Sequence, residues 1–538
     1  MMDSRVGGGY WSRPFMCIVV FGACPSLNTK VITMALSPTE PVPRRGLITG
    51  CLIFSTTIQA LDSTIANLAL PYMQGSFGAT IDQVAWVLTS YIIATAIMTA
   101  PMGWLANRFG RKQLLIVCLV GFAVFSLFCA LAQSLEQIVS FRLIQGMFGA
   151  GLVPLAQSVL LDIYPAEQRG PAMAVWGMGL MIGPIIGPPL GGILTDLYHW
   201  RLVFVVSPPF AVLAIVGLLI LLPRSNPQSS LRFDWLGFTV LALGVACFQL
   251  MLDRGQTEDW FDSRQIQIAA VLAGLGFFLF IVHILTAPQP FISPALFRDQ
   301  NYVTATFMLF CFGVVLISSN ALAAPWLQTV SSYPVGQAGW LLAPRGVASM
   351  FGMMLVGKLS SRMDQRIIVA LGLLCTAWSF WDMTSWTPNV SPDWVTWVMS
   401  VQGFGLGVTF IPLQVIAFTT LAPALRTQGS AVINLFRNIG SALGVSMVTA
   451  ALVSHGQTLH EEIGAHINPF NRALHLYPSL GSLMDADSSR GALFLNRMVN
   501  GEATIIAYLN DFKLLLLVTL LTLCLVPLIR QPMTGARM

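Results

Sequence analysis

Charge is what this sequence has least of. Acidic and basic residues together make up 9% of the 538 residues, against roughly a quarter in soluble domains. Hydrophobic residues make up 55%. So little polar surface cannot coat a globule of this length, which excludes a soluble fold and requires lipid to solvate much of the chain. A net charge of +5 is small for the length and offers no surface for nucleic acid. A cysteine framework is also missing: seven of the nine cysteines stand singly in apolar runs, and Cys17 and Cys24 lack metal-type spacing, so they read as small apolar side chains. There is no G-x-x-x-x-G-K-[ST] phosphate loop, which excludes ATP hydrolysis by this chain, and no H-E-x-x-H pair. Four of the six histidines fall between His455 and His475 at irregular spacings and read as solvated residues, not metal ligands. Gly179, Gly183 and Gly187 do not open a strand–turn–helix, so they form no dinucleotide fingerprint.

What is present is a train of apolar runs. Fourteen reach spanning length, at 46–68, 83–105, 113–132, 138–161, 172–194, 202–222, 235–252, 266–285, 303–327, 335–356, 367–386, 394–417, 429–453 and 512–529. We number them spans 1 to 14. An even count puts both termini on one side. The segments on that side hold fifteen basic residues, among them Arg44, Arg108, Arg111, Lys112, Arg426 and Arg530, whereas the short loops on the other side hold three: Arg201, Arg254 and Arg264. The bias places both termini in the cytoplasm. The expected organisation is an N-terminal extension (1–45), a six-helix half (46–222), an inserted helix pair (223–300) and a second six-helix half (301–538). The segment 454–511 is expected to form a long periplasmic loop carrying most of that region's polar residues. Residues 1–45 read as a disordered cytoplasmic lead-in, with Met34 as a plausible start.

Four charges lie inside spans, where each costs at least ~2.5–3.5 kcal/mol and usually faces a cavity. With a rise of ~1.5 Å per residue, Asp62 sits ~24 Å along span 1, ~6 Å short of the far side of a ~30 Å core. Span 4 runs the opposite way, which puts Arg142 ~6 Å below the same face. The two should therefore meet or share a cavity. Arg345, ~15 Å down span 10, and Arg437, ~12 Å up span 13, fall near the midplane of the second half. Burial disfavours the ionised form of Asp62 and a nearby arginine favours it, so the carboxyl is suited to taking and giving a proton as access changes. A purely structural ion pair is the competing reading.

Span 5 holds Gly177, Gly179, Gly183, Pro184, Gly187, Pro188, Pro189, Gly191 and Gly192. Small residues in a membrane helix let a neighbouring backbone come close. Gly183, Gly187 and Gly191, four residues apart, form one smooth stripe, expected to pack against and rock on another helix.

These segments resemble the major facilitator superfamily, and within it the 14-span drug:proton antiporters of the EmrB/QacA type, over about residues 46–530. LDSTIANLALP (Leu61–Pro71) is similar to the family's first-span signature, which makes Asp62 the expected protonation site. GWLANRFGRK (Gly103–Lys112) resembles the loop after span 2; Gly103, Arg108, Gly110 and Arg111 match, but Asn107 stands where the family usually has an aspartate, removing a charge from the expected cytoplasmic latch. RLIQG (Arg142–Gly146) resembles the span 4 motif and assigns proton coupling and cavity roles to Arg142 and Gln145. Gly179 to Gly192 resembles the antiporter motif of span 5, and PRG (Pro344–Gly346) and QGFGLG (Gln402–Gly407) extend the likeness. The resemblance implies an all-α polytopic membrane protein with the major facilitator fold, two six-helix halves plus two inserted helices. It implies a non-enzymatic, proton-coupled exporter of lipophilic drugs in the bacterial inner membrane, driven by the proton gradient without a cofactor. Gln59, Asn67, Gln328, Gln402, Asn434 and Arg437 are expected to offer polar contacts to substrate. A periplasmic membrane-fusion adaptor and a TolC-like outer-membrane channel are the implied partners. An exporter dedicated to one metabolite and a membrane receptor remain the alternatives.

Overall fold

The computed structural model describes residues 44–165, 168–223, 233–288, 290–360, 362–467 and 489–530. The expectations for residues 1–43, and for the middle of the loop after span 13, lie outside the described residues. Within them the chain is helical, with no strand. The first half comprises α1 (Arg45–Phe77), α2 (Ile81–Thr99), α3 (Met102–Phe109), α4 (Arg111–Leu131), α5 (Leu135–Gly149), α6 (Leu152–Ile163), α7 (Arg169–Leu197) and α8 (Ser207–Leu221). Next come α9 (Trp235–Arg254) and α10 (Arg264–Thr286), then α11 (Gln300–Pro325), α12 (Val335–Leu359), α13 (Gln365–Met383), α14 (Pro392–Thr419), α15 (Arg426–Ala465) and α16 (Ser489–Leu523).

Among the described residues, twelve helices are long and apolar enough to cross a membrane, thirteen if the bent pair α2–α3 counts as one. α1, 33 residues long, adds a helix of spanning length whose apolar run is interrupted by Thr56, Thr57, Gln59, Asp62 and Thr64. In chain order these segments match the predicted spans.

The structure corrects several boundaries. Spans 2 and 4, each one apolar run in the sequence, are each broken. α2 and α3 meet at 57°, at Ala100–Pro101, because proline has no N–H to give and its ring clashes with the preceding turn. α5 and α6 are separated at Ala150–Gly151. The predicted loop 454–511 is largely helical in its described parts: α15 runs on to Ala465 and α16 begins at Ser489. Hydropathy marks only the apolar stretch of a helix, whereas its hydrogen-bond ladder continues into polar sequence.

Helix starts follow local chemistry. Thr80 and Gln83 cap α2 reciprocally, Thr80 Oγ1 accepting from Gln83 N and Gln83 Oε1 from Thr80 N. Gly110, at φ 88°, takes the turn between α3 and α4 that a side chain would oppose. In the first half α1 packs on α7 and α8, and α5 on α2 and α4; in the second, α14 packs on α12 and α13, and α15 on α11 and α16. α9 and α10 pair with each other, and α9 leans on α2 and α15. The halves meet mainly along α7 and α12, and where α15 crosses α3 and α6.

Candidate functional site

Asp62, Arg142 and Gln145 close into a net between α1 and α5. Arg142 Nη1 donates to Asp62 Oδ2 at 2.5 Å and to Gln145 Oε1 at 2.9 Å, while Gln145 Nε2 donates to Asp62 Oδ1 at 3.1 Å. Arg142 and Gln145 are 0% exposed and Asp62 is 2% exposed. A charge pair this deep is costly unless its hydrogen-bonding capacity is met. Both carboxylate oxygens are taken, whereas Arg142 Nη2 is buried with no hydrogen-bond partner among the described residues. Arg142 Nε donates to Val87 O at 3.3 Å, and the guanidinium lies 4.3 Å from the centre of the Tyr91 ring and 5.5 Å from that of Phe204, a cation–π setting worth about 2 kcal/mol when desolvated. Cys129 adds an S–H toward Gln145 Oε1 at 3.6 Å. The depth arithmetic thus brings Asp62 and Arg142 together, and Gln145 joins because it stands three residues, one turn, along the same helix.

Helix α5 reaches α2 through Gly146, where a Cβ would lie 2.5 Å from Tyr91 O; Thr95 Oγ1 donates to Gly146 O at 3.2 Å. Tyr91, Val87, Cys129 and Phe204 escaped the sequence reading. Only Tyr91, an aromatic beside Thr89 and Ser90 in an apolar helix, carried a signal. Gln59 lies beside Tyr91, and Gln59 Oε1 and Tyr91 Oη are both buried.

The glycine stripe of α7 packs on α1. A Cβ at Gly179 would strike Ile53, one at Gly183 would come 2.7 Å from Leu61 N, and one at Gly187 would strike Thr64. Thr57 Oγ1 donates to Gly179 O at 2.8 Å. The stripe therefore serves a neighbour in the same half. Gly191 accepts from Thr195 Oγ1 at 2.8 Å, Gly192 has nothing within 4 Å of its Cβ position, and Pro184 is exposed. The Pro188 side chain lies outside the described residues. α7 meets the other half through different residues: Gly177 against Ile411 and Met353, and Ile185 against Gly346.

The ends of the halves that carry the 103–112 segment are joined by a buried polar cluster. Gln157 Nε2 donates to Gln414 Oε1 at 2.5 Å, Ser430 Oγ to Gln157 Oε1 at 2.6 Å and Asn434 Nδ2 to the same oxygen at 3.4 Å. The Ser158 and Thr427 hydroxyls are 2.8 Å apart. Beside this cluster, Asp162 pairs with Arg111 and, at 3.7 Å, with Arg426 of the other half. A Cβ at Gly103 would lie 2.7 Å from Gln428 Cα, so α3 sits directly on α15. Asn107 and Arg108 are half-buried with no ion pair among the described residues. A carboxylate, Asp162, thus stands at this join; it falls one residue past span 4 as the apolar run marks it, where hydropathy gives no signal.

The remaining expected residues scatter. Gln402 is buried in the second half, accepting from Ser319 Oγ at 2.8 Å. Arg345 ties α12 to α11, donating to Asn320 Oδ1 at 2.6 Å and Leu316 O at 3.3 Å. Arg437 is partly buried, and its side chain has no hydrogen bond or ion pair among the described residues; its carbonyl accepts from Ser441 Oγ at 3.0 Å and presses on Gly313. Asn67 and Gln328 are exposed and apart from the net. Asn434 belongs to the join between halves.

The major facilitator superfamily profile matches residues 52–445. The chain is 34% identical to the multidrug export protein EmrB of Haemophilus influenzae over 427 residues, 79% of this chain and 84% of that protein. It is 32% identical to the EmrB of Escherichia coli K12 over 81% of this chain and 86% of that protein, and 30% identical to the fatty acid resistance protein FarB of Neisseria gonorrhoeae over 80% and 85%. Among solved structures, the proton:xylose symporter XylE superposes with a TM-score of 0.55 at 16% identity, covering 88% of this chain and 97% of that one. The human organic anion transporter MFSD10 gives 0.54 at 14%, covering 89% and 100%. These two likenesses show the fold.

Proposed function

The chain belongs to the major facilitator superfamily, and from that premise we propose that it exports lipophilic drugs or toxic small molecules across the bacterial inner membrane in exchange for protons. The observation that carries the proposal is the sealed Asp62–Arg142–Gln145 net. A carboxylate with both oxygens engaged and almost no solvent contact changes its partners when a proton arrives. Protonation removes the charge that Arg142 neutralises and frees one oxygen, which loosens α1 from α5. α1 also packs on the glycine face of α7, and α7 packs on α12, so a contiguous set of contacts leads from the carboxyl to the seam between halves.

The mechanism is alternating access by rocking of the halves. The excess of basic residues supports placing both termini, and the polar join, in the cytoplasm; this conformer is then the one closed toward the cytoplasm. Asp62 takes its proton from outside and releases it inward as drug binds, with Arg142 and Gln145 setting the exchange. The apolar walls suit lipophilic substrates through burial without strict geometry. Resemblance to the multidrug export proteins supports a periplasmic adaptor and a TolC-like channel as partners, and the extensions of α15 and α16 beyond the predicted spans offer the surface.

The test is efflux from proteoliposomes under an imposed pH gradient. Wild type should export drug, and Asp62→Asn should lose the gradient-driven component. Export by Asp62→Asn that still follows the gradient would refute the assignment.

A further inference from the structure

A second buried carboxylate stands apart from the Asp62 net. Asp511, on α16, is fully buried, and neither of its oxygens receives a hydrogen bond among the described residues. Among the described residues one basic group is in reach: Nδ1 of His455, on α15, lies 3.7 Å from Oδ1; Tyr508, one turn back on α16, is also within electrostatic reach. That nitrogen is buried and unbonded too, while the His455 side chain as a whole is 43% exposed, so the rest of the ring faces outward.

Among the described residues the surroundings offer no other counterion. α16 packs on α15, α13, α11 and the short turn Trp326–Val330. α15 contributes His455. The nearest acid of α13, Asp382, is held by the indole N–H groups of Trp386 and Trp394, each at 3.0 Å. The turn Trp326–Val330 has no ionisable residue, and Cys311 of α11 lies toward Thr522, about three turns along α16 from Asp511. On α16 itself, the Tyr508 ring stands edge-on to Trp326 at 5.6 Å, and Lys513 is exposed, donating to Asn510. An ionised carboxylate buried without a donor is strongly disfavoured, and one proton removes the penalty.

We propose that Asp511 and His455 form a second proton-binding site, on the second half, at the end of the bundle opposite the polar join. A proton from bulk water adds to the outward Nε2 of the imidazole, leaving Nδ1–H aimed at Asp511. Transfer of the Nδ1 proton to Oδ1 leaves a neutral imidazole and a neutral carboxylic acid, so one proton is taken up and no other bond changes. The 3.7 Å gap then closes to hydrogen-bond length. The site shares the continuous helix α15 with Ser430 and Asn434 of the join, and it does not depend on the identity of any drug.

Proton uptake by the purified full-length protein, titrated without drug in weakly buffered detergent solution with an indicator dye, tests this. Asp62→Asn and Asp511→Asn should each remove a separate component of the uptake, and the double variant should remove both. His455→Gln, at a half-exposed position, should move the Asp511 component to a different pH and leave the Asp62 component in place. Asparagine mimics the protonated acid in shape; should Asp511→Asn nonetheless fail to fold, His455→Gln decides the question. An uptake curve of Asp511→Asn, or of His455→Gln, that superposes on wild type overturns the proposal, whatever Asp62 does.

Discussion

Replacing Gly183 by alanine tests how tightly α7 is fitted to the helix that carries Asp62. The added Cβ would lie 2.7 Å from Leu61 N, 2.8 Å from Ala60 Cβ and 2.9 Å from Ala60 C. Two of these are backbone atoms, which no rotamer change can move. Restoring an ordinary separation of about 3.5 Å requires α1 to retreat by about 0.8 Å from the 2.7 Å contact. Asp62 is the next residue, and its 2.5 Å bond to Arg142 has little room for such a shift. Overpacking of this kind costs about 1–3 kcal/mol, and where that cost falls on the transport barrier, about 1.4 kcal/mol per decade lowers the rate by about fivefold to a hundredfold. Gly192→Ala is the control: the same helix receives the same methyl group, but nothing lies within 4 Å. Thermal unfolding in detergent and initial efflux rates from proteoliposomes read both effects. Gly183→Ala should unfold at lower temperature and transport slowly, and Gly192→Ala should match wild type. Equal behaviour of the two variants would refute the fit described for α1 and α7.

Substitutions at three further positions probe the rest of the site. Gln157→Ala strips a shared partner from Gln414, Ser430 and Asn434, leaving buried polar groups unpaired at about 1–3 kcal/mol; a cysteine placed at Ser158 should then react faster with a thiol reagent, and unchanged labelling would contradict the join. Asp162→Asn should have a smaller effect, about 1 kcal/mol or less, because the Asp162 side chain is 35% exposed; a loss larger than that of Gln157→Ala would reverse the ranking. Tyr91→Phe keeps the ring beneath Arg142 and should transport near the wild-type rate, whereas Tyr91→Leu removes a cation–π contact worth about 2 kcal/mol and should lower the unfolding temperature; the reverse order would rule out the ring as the support.

The central pair was legible in the sequence because a membrane helix is a ruler: a fixed rise and alternating direction place Asp62 and Arg142 at one depth without any knowledge of packing. The all-α membrane fold was legible from the train of apolar runs. Faces were not. α2 is apolar on most sides, so nothing in its sequence says that Val87, and not its neighbours, turns toward Arg142, and Tyr91 is marked only by the polar residues beside it. The Gln157–Gln414–Ser430–Asn434 cluster joins residues up to 277 positions apart, beyond any local pattern. The glycine stripe was visible, but not that α1 of the same half would be its partner. Asn67 and Gln328 were grouped with the site by polarity alone, and polarity does not tell an inward-facing amide from an exposed one.

The most direct measurement follows protons when drug is added to the purified protein in weakly buffered solution at constant pH. If Asp62 is the exchanging group, wild type releases protons as the drug binds, and Asp62→Asn binds drug without that release. Release of equal size from Asp62→Asn would contradict the account.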